Sequence, residues 1–296
     1  MDRAQIVACL IVGLWVGGVV GCTKERPITV GSKNFTEQVI LGEIVAQHLE
    51  HRLGRRVDRR LNLGGTLLAH QGLVNGDIDL YPEYTGTALT TILKLPPTSD
   101  PAAAMALVRA EYQTRFGVEW MDPLGFNNTF AMVIRGEDAR KSKLETLSDA
   151  ARYSPGWKLG VGYEFQQRSD GLAGLLRIYN LPIHGSPKTM DLGLLYKALE
   201  QRQVGMVAAN ATDGQLSVLD VLVLQDDKRY FPPYDCAFVV RTDVLKDNPP
   251  LRRALTDLAG LITDRTMRTL NYQADGEHRP VKVVAEQFLR EAGLLR

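Results

Sequence analysis

The 296-residue sequence predicts an α/β protein of two lobes, and three observations predict it. Near the start, short apolar runs alternate with amphipathic stretches in the order β-α-β-α-β, which makes a parallel sheet covered by helices. A second alternation of the same kind fills the middle, from about Leu144 to Leu224. Two strand-like runs, Phe130–Ile134 and FPPYDCAFVV, link the two regions, so the chain crosses twice between them. The expected division is residues 27–127 with 235–296 for one lobe and 128–234 for the other.

Each element has its own signal. Ile28–Val30 is the first strand and ends in Gly31-Ser32-Lys33. A helix follows from about Thr36 to Leu53, with Asn34 and Glu37 as a capping-box-like start, Ile40, Ile44, Leu49 and Leu53 in the buried stripe, and Gly54 as the stop. His48 and His51 are expected on its exposed face. Val57, Arg59, Leu61 and Leu63 alternate as a strand, and a helix runs from Gly64-Gly65-Thr66 to about Val74. Ile78–Leu80 is the third strand. Asp100-Pro101 caps and starts a helix that reaches about Phe116. The second region reads as a helix at Leu144–Arg152, a strand at Trp157–Val161, helices at Ser169–Tyr179 and Asp191–Gln201, and strands at Val204–Ala208 and Val221–Leu224. From Pro249 to Arg296 the chain is mostly helical, with Leu251, Leu255, Leu258 and Ile262 on one face.

Residues 1–22 carry one arginine and an apolar run from Ile6 to Val20 that is short for a membrane span, so they read as a secretory signal. Its tail, Val19-Val20-Gly21-Cys22, resembles a bacterial lipobox, which implies a lipid on Cys22 and a chain exported to the periplasm or cell surface and tethered to a membrane. Cys9 leaves with the signal, so only Cys236 remains, a small buried hydrophobe without a disulfide partner.

Charge and motifs narrow the function. With 35 Lys+Arg against 34 Asp+Glu and no basic tract longer than GRRVDRR, there is no footprint for nucleic acid, and Arg55–Arg60 belongs on the solvent face of a strand. An enzyme is not expected: G-x-S-x-G and H-E-x-x-H are missing, and the five histidines lack metal-ligand clustering. GVGYEF, from Gly160 to Phe165, lacks the third glycine of a dinucleotide loop and reads as a turn at a cleft edge. No cofactor and no metal are expected.

In open α/β sheets, ligands bind just past the carboxyl ends of the strands. Here those ends are GSKN, GGT and PEYTGT. Four segments in order, ITVGSKNFTEQVILGEI, GDIDLYPEYTGT, EFQQRSDG and DDKRYFPPYD, resemble the substrate-binding proteins of ABC transporters for glycine betaine, choline and related osmoprotectants. The resemblance spans essentially the whole mature chain. It implies a type II periplasmic-binding-protein fold, closure of two lobes over a solute, and delivery to a separate permease and ATPase. Hinges are expected at the crossings near Gly125–Asn128 and Pro232–Asp235.

The resemblance also implies roles for particular residues. Tyr84 and Tyr234 match aromatic-box positions, where π faces attract a quaternary ammonium that has no N–H to donate. Lys33, Thr87 and Arg168 match positions that serve the solute carboxylate. By themselves, Tyr81 reads as packing, Glu83 as a rim carboxylate, Lys33 as a turn residue and Arg168 as a partner for Asp170 or Glu164. Two departures stand out. The family commonly has an acid and a tyrosine where this chain has Asn128 and Phe130, and a tyrosine where it has Asn210. Asparagine offers paired donor and acceptor groups, so a larger betaine or an amino-acid-like zwitterion such as carnitine, ergothioneine or a cationic amino acid would use the site better than a bare trimethylammonium. A solute sensor uncoupled from transport is the further alternative.

Overall fold

The computed structural model describes residues 26–153 and 155–295, so the expected signal and its Cys22 lie outside the described residues. The first lobe begins with β1 (Ile28–Gly31), α1 (Thr36–Leu53), β2 (Val57–Arg60), α2 (Thr66–Val74) and β3 (Leu80–Tyr84). A short turn α3 (Thr85–Thr87) runs into a π-helical turn, Ala88–Ile92, and then come α4 (Pro101–Phe116) and β4 (Val118–Trp120). The chain crosses into β5 (Phe130–Arg135), α5 (Gly136–Ser142), α6 (Leu147–Ala151), β6 (Leu159–Val161), α7 (Tyr163–Gln167), α8 (Leu172–Tyr179) and β7 (Lys188–Thr189). The second lobe continues with α9 (Leu192–Glu200), β8 (Met206–Asn210), a 3-10 turn at Gly214–Ser217 and β9 (Val221–Val223). The return strand is β10 (Cys236–Arg241), followed by α10 (Thr242–Asp247), α11 (Pro249–Thr256), α12 (Asp264–Asp275) and α13 (Val281–Glu291).

The two sheets have the orders β2-β1-β3-β10-β4 and β7-β6-β8-β5-β9. Both follow one plan: three parallel strands from a local β-α-β-α-β unit, then an antiparallel strand, β10 or β5, that has just crossed from the other lobe. Helices cover both faces of each sheet, so the inner strands β1, β3, β5, β6, β8 and β10 bury apolar side chains on two sides, whereas the edge strand β7 is exposed. This arrangement is the type II periplasmic-binding-protein fold. No helix among the described residues is long and apolar enough to cross a membrane.

Several local expectations change. The third strand begins at Leu80 and reaches Tyr84 because β10 returns beside it, pairing Tyr84 with Cys236 and Pro82 with Phe238. Its one register pair with β1 is Val30 with Leu80, so Pro82 lies where a missing N–H costs no ladder bond on that side. Asn34 does not cap α1; the N-cap is Phe35 without a side-chain bond, since Glu37 turns inward. His48 is fully buried and its Nε2 bonds the Ala254 carbonyl at 2.9 Å, so it lies under α11 and not on an exposed face. Arg59 leaves the solvent face of its strand to pair with Glu43 and Glu50. The second strand stops at Arg60 as Asn62 takes a left-handed φ of 62°. The helix expected at Leu144–Arg152 shortens to α6, with α5 ahead of it, and GVGYEF is a strand end that opens the unforeseen helix α7.

Candidate functional site

Segments after four parallel strands, both crossings and two helices converge between the lobes. Lys33 follows β1, and its Nζ pairs with Glu83 of β3 and lies 5.0 Å from the centroid of the Tyr84 ring. Glu83 is wholly buried, held also by the Tyr81 hydroxyl at 2.9 Å and the Tyr84 N–H at 2.7 Å. It is therefore not a rim carboxylate, and Lys33 is not a solvated turn residue. Burying either charge alone would be costly, so the two stabilise each other's burial.

Across the cleft, Arg168 at the end of α7 does what its neighbours suggested. It binds Asp170 through two nitrogens, at 2.8 and 2.6 Å, and approaches Glu164 at 3.8 Å. It also donates to the Thr87 hydroxyl of the first lobe at 2.9 Å. Its guanidinium carbon stands 5.2 Å from the Phe130 ring centroid and 5.6 Å from that of Tyr234. Phe130 and Tyr234 meet edge to face at 5.7 Å. Asp170 accepts from Thr90 at 2.8 Å and from Tyr234 at 2.6 Å. Burial would raise the Asp170 carboxyl, yet Arg168 outweighs it and holds the pKa below the usual range.

The centre of the site is Glu37, which sequence reasoning treated only as a capping acid. It is buried, and four donors from four separate segments reach it: the Tyr84 hydroxyl at 2.6 Å, the Asn128 amide at 2.8 Å, the Thr212 hydroxyl, and the Asn271 amide at 3.1 Å. Burial pushes its pKa up, against the pull of these donors. Four donors suit an ionised carboxylate, whose two oxygens only accept. No local pattern announces Glu37, because its partners lie 47 to 234 residues away.

The structure thus brings together Lys33, Tyr84, Thr87, Asn128, Phe130, Arg168 and Tyr234. Asn210 stands apart from this network: it faces Phe130 in the β5–β8 ladder, while its N–H goes to Asp213 at 3.0 Å. Tyr81 packs in the core beside Glu83, as expected. Cys236 is buried behind Tyr84, and burial raises its thiol pKa, consistent with an inert apolar role. Exposure is 3% at Lys33, 4% at Tyr84, 3% at Thr87, 9% at Asn128 and Arg168, and 2% at Tyr234. A solute can reach these groups only if the lobes part.

Comparison with known proteins agrees with this geometry. The profile described as the substrate binding domain of ABC-type glycine betaine transport systems matches residues 26–291. The chain is 38% identical over 273 residues to the ergothioneine transport permease/ergothioneine binding protein of Helicobacter pylori, covering 92% of this chain but 48% of that one. It thus spans about half the length of that relative. It is 33% identical over 276 residues to a carnitine transport binding protein of Listeria monocytogenes, covering 93% of this chain and 89% of that one. A crystal structure described as a glycine betaine/carnitine/choline ABC transporter superposes with a TM-score of 0.77 at 33% identity, over 90% of this chain and 99% of the other. The two-lobed plan, the sealed cleft and the match along nearly the whole described chain place it in the family of substrate-binding domains of ABC-type glycine betaine transport systems.

Proposed function

We propose that the chain is an extracytoplasmic solute-binding protein that captures a betaine-type zwitterion and presents it to an ABC permease with its ATPase, tethered through a lipid on Cys22. The observation that carries the solute class is the surrounding of the cleft. Aromatic faces of Tyr84, Phe130 and Tyr234 lie among two buried cations, Lys33 and Arg168, and three buried carboxylates, Glu37, Glu83 and Asp170. The carboxylates outnumber the cations, which favours a guest with a permanently positive pole against the rings. Lys33 spends one of its three donors on Glu83, and Thr87 lies beside Arg168, so donors for an anionic pole are close by.

Asn128 sharpens the reading. Its amide donates to Glu37, which fixes the side chain's orientation and turns Oδ1 away from the carboxylate; that oxygen is buried without a partner. A buried acceptor of this kind favours a solute that brings an N–H. Glycine betaine and carnitine carry no N–H at all, whereas ergothioneine carries imidazole-type N–H groups. The expected order of affinity is ergothioneine above carnitine above glycine betaine, with about ten-fold or more between first and last. Titration calorimetry of the three solutes checks it, and tightest binding by glycine betaine would overturn it.

A further inference from the structure

The residues of the site are sealed, so some contact must hold the lobes shut. Glu164 of α7 reaches out of the second lobe and accepts from the Thr66 N–H at 2.9 Å and the Thr66 hydroxyl at 3.3 Å. Thr66 is the first residue of α2, so its N–H is one of the helix-start groups that no helical carbonyl reaches, and the N-cap, Gly65, supplies no side-chain bond. The start of this first-lobe helix is therefore capped from the opposite lobe. Gly65 leaves the space: a β carbon there would stand 2.8 Å from Glu164 Oε1. Burial, which alone would raise the Glu164 pKa, is outweighed by Lys33, the Thr66 N–H and Arg168, which keep the carboxyl below its ordinary value.

Sheet order sets the leverage of this contact. Thr66 follows β2, the edge strand of its sheet, three places from the crossing strand β10. Glu164 follows β6, two places from the crossing strand β5. The contact thus lies on the side of the cleft away from both crossings, separated from Phe130 and Tyr234 by the Arg168 side chain, and rotation about a hinge displaces it more than the groups beside the crossings.

We propose that Glu164 is the latch of the cleft, a positioning residue that holds the lobes together over the bound solute and sets its escape rate without touching it. The proposal rests on the solute-binding reading above. The Glu164 side chain is 48% exposed, so changing it leaves both cores intact. Thr66→Pro is its counterpart, since proline suits the first helical position and removes both groups, the N–H and the hydroxyl, that donate to Glu164.

The test compares the full chain with Glu164→Ala, Glu164→Gln, Thr66→Pro and the Glu164→Ala/Thr66→Pro double variant. Stopped-flow dissociation of ergothioneine and carnitine should be about ten-fold faster in Glu164→Ala, by one factor for both solutes, with association within about two-fold. Glu164→Gln, which keeps an acceptor for the Thr66 N–H, should recover part of the loss. The double variant should match the worse single variant, since both remove one contact. Without solute, small-angle scattering should report a larger radius of gyration for Glu164→Ala than for the parent. An unchanged dissociation rate, a factor that differs between solutes, additive effects or an unchanged radius would each overturn the latch. If the parent chain binds neither solute, the solute reading fails, while the scattering comparison still decides the latch.

Discussion

Asp213 and Glu37 show how a single oxygen can decide the pH behaviour of the protein. Asp213 receives both the Asn210 N–H, at 3.0 Å, and the Tyr196 hydroxyl, at 3.1 Å, on the same Oδ2. Burial pushes its pKa up to about 6, the charge on Glu37 adds to the rise, and the hydrogen bonds from Asn210 and Tyr196 oppose it. A carboxyl whose folded pKa is raised favours the folded state most when protonated. Its contribution is complete below the unfolded value of 3.8 and is lost as pH climbs through about 6. Asp213→Asn keeps one oxygen for both donors and removes the charge. It should stabilise the protein by about 1–2 kcal/mol at pH 7.5, a rise of a few degrees in Tm, and give no gain at pH 4. Thermal unfolding at the two pH values checks this; an equal loss at both would show that the asparagine cannot take over the bonds. In sequence, Asp213 was one acid in AANATDG, and nothing local revealed Glu37, the neighbour whose charge helps to keep it protonated.

At the scale of elements, α1 was legible from Thr36 to Leu53 because its apolar stripe and terminal Gly54 are local facts. The direction of its first turn was not, since Glu37 is claimed by Tyr84, Asn128, Thr212 and Asn271, all distant in sequence. The same contrast explains β3, whose last four residues gain strand character only from the returning β10. Helix α7 hid in a five-residue stretch too short to show periodicity. The segments carrying Lys33, Tyr84, Thr87, Arg168 and Tyr234, by contrast, meet in one place. Gly86 belongs to such a segment, yet its reason appears only in three dimensions. A β carbon there would stand 2.7 Å from Tyr234 Cε1 and 2.8 Å from the Pro233 carbonyl oxygen. The ring is buried and the carbonyl is backbone, so neither yields cheaply. Gly86→Ala should cost about 1–3 kcal/mol in stability and weaken solute binding by ten-fold or more through displacement of Tyr234. Calorimetry with an alanine variant that binds as the parent does would refute this account of the turn.

For the whole molecule, closure depends on a second seam besides the mouth held by Glu164. Near the crossings, α12 of the first lobe packs on the turn after β8: Arg268 donates to the Ala211 carbonyl at 2.7 Å, Asn271 to the Thr212 carbonyl at 2.9 Å, and the Thr212 hydroxyl to Glu37. Gly214 lets the backbones meet, since a β carbon there would lie 2.4 Å from the Tyr272 nitrogen and 2.6 Å from its Cα. Unlike a long side chain, a helix backbone cannot swing aside, so the clash can be relieved only by moving the lobes apart. Gly214→Ala should therefore leave each lobe folded but bias the molecule toward the open form. The expected signs are a Tm within a few degrees of the parent, a larger radius of gyration, and affinity reduced by a common factor of ten or more for every solute bound. Because the seam lies beside the pivot and Glu164 at the far edge, the two changes should act differently in kinetics. Loss of the latch speeds release, whereas a blocked seam lowers the fraction of molecules able to close at all. Dissociation rates and scattering on the two variants separate these effects. An unchanged shape in Gly214→Ala would mean that α12 and the β8 turn move as one body, and that the pivot lies on the second-lobe side of Gly214.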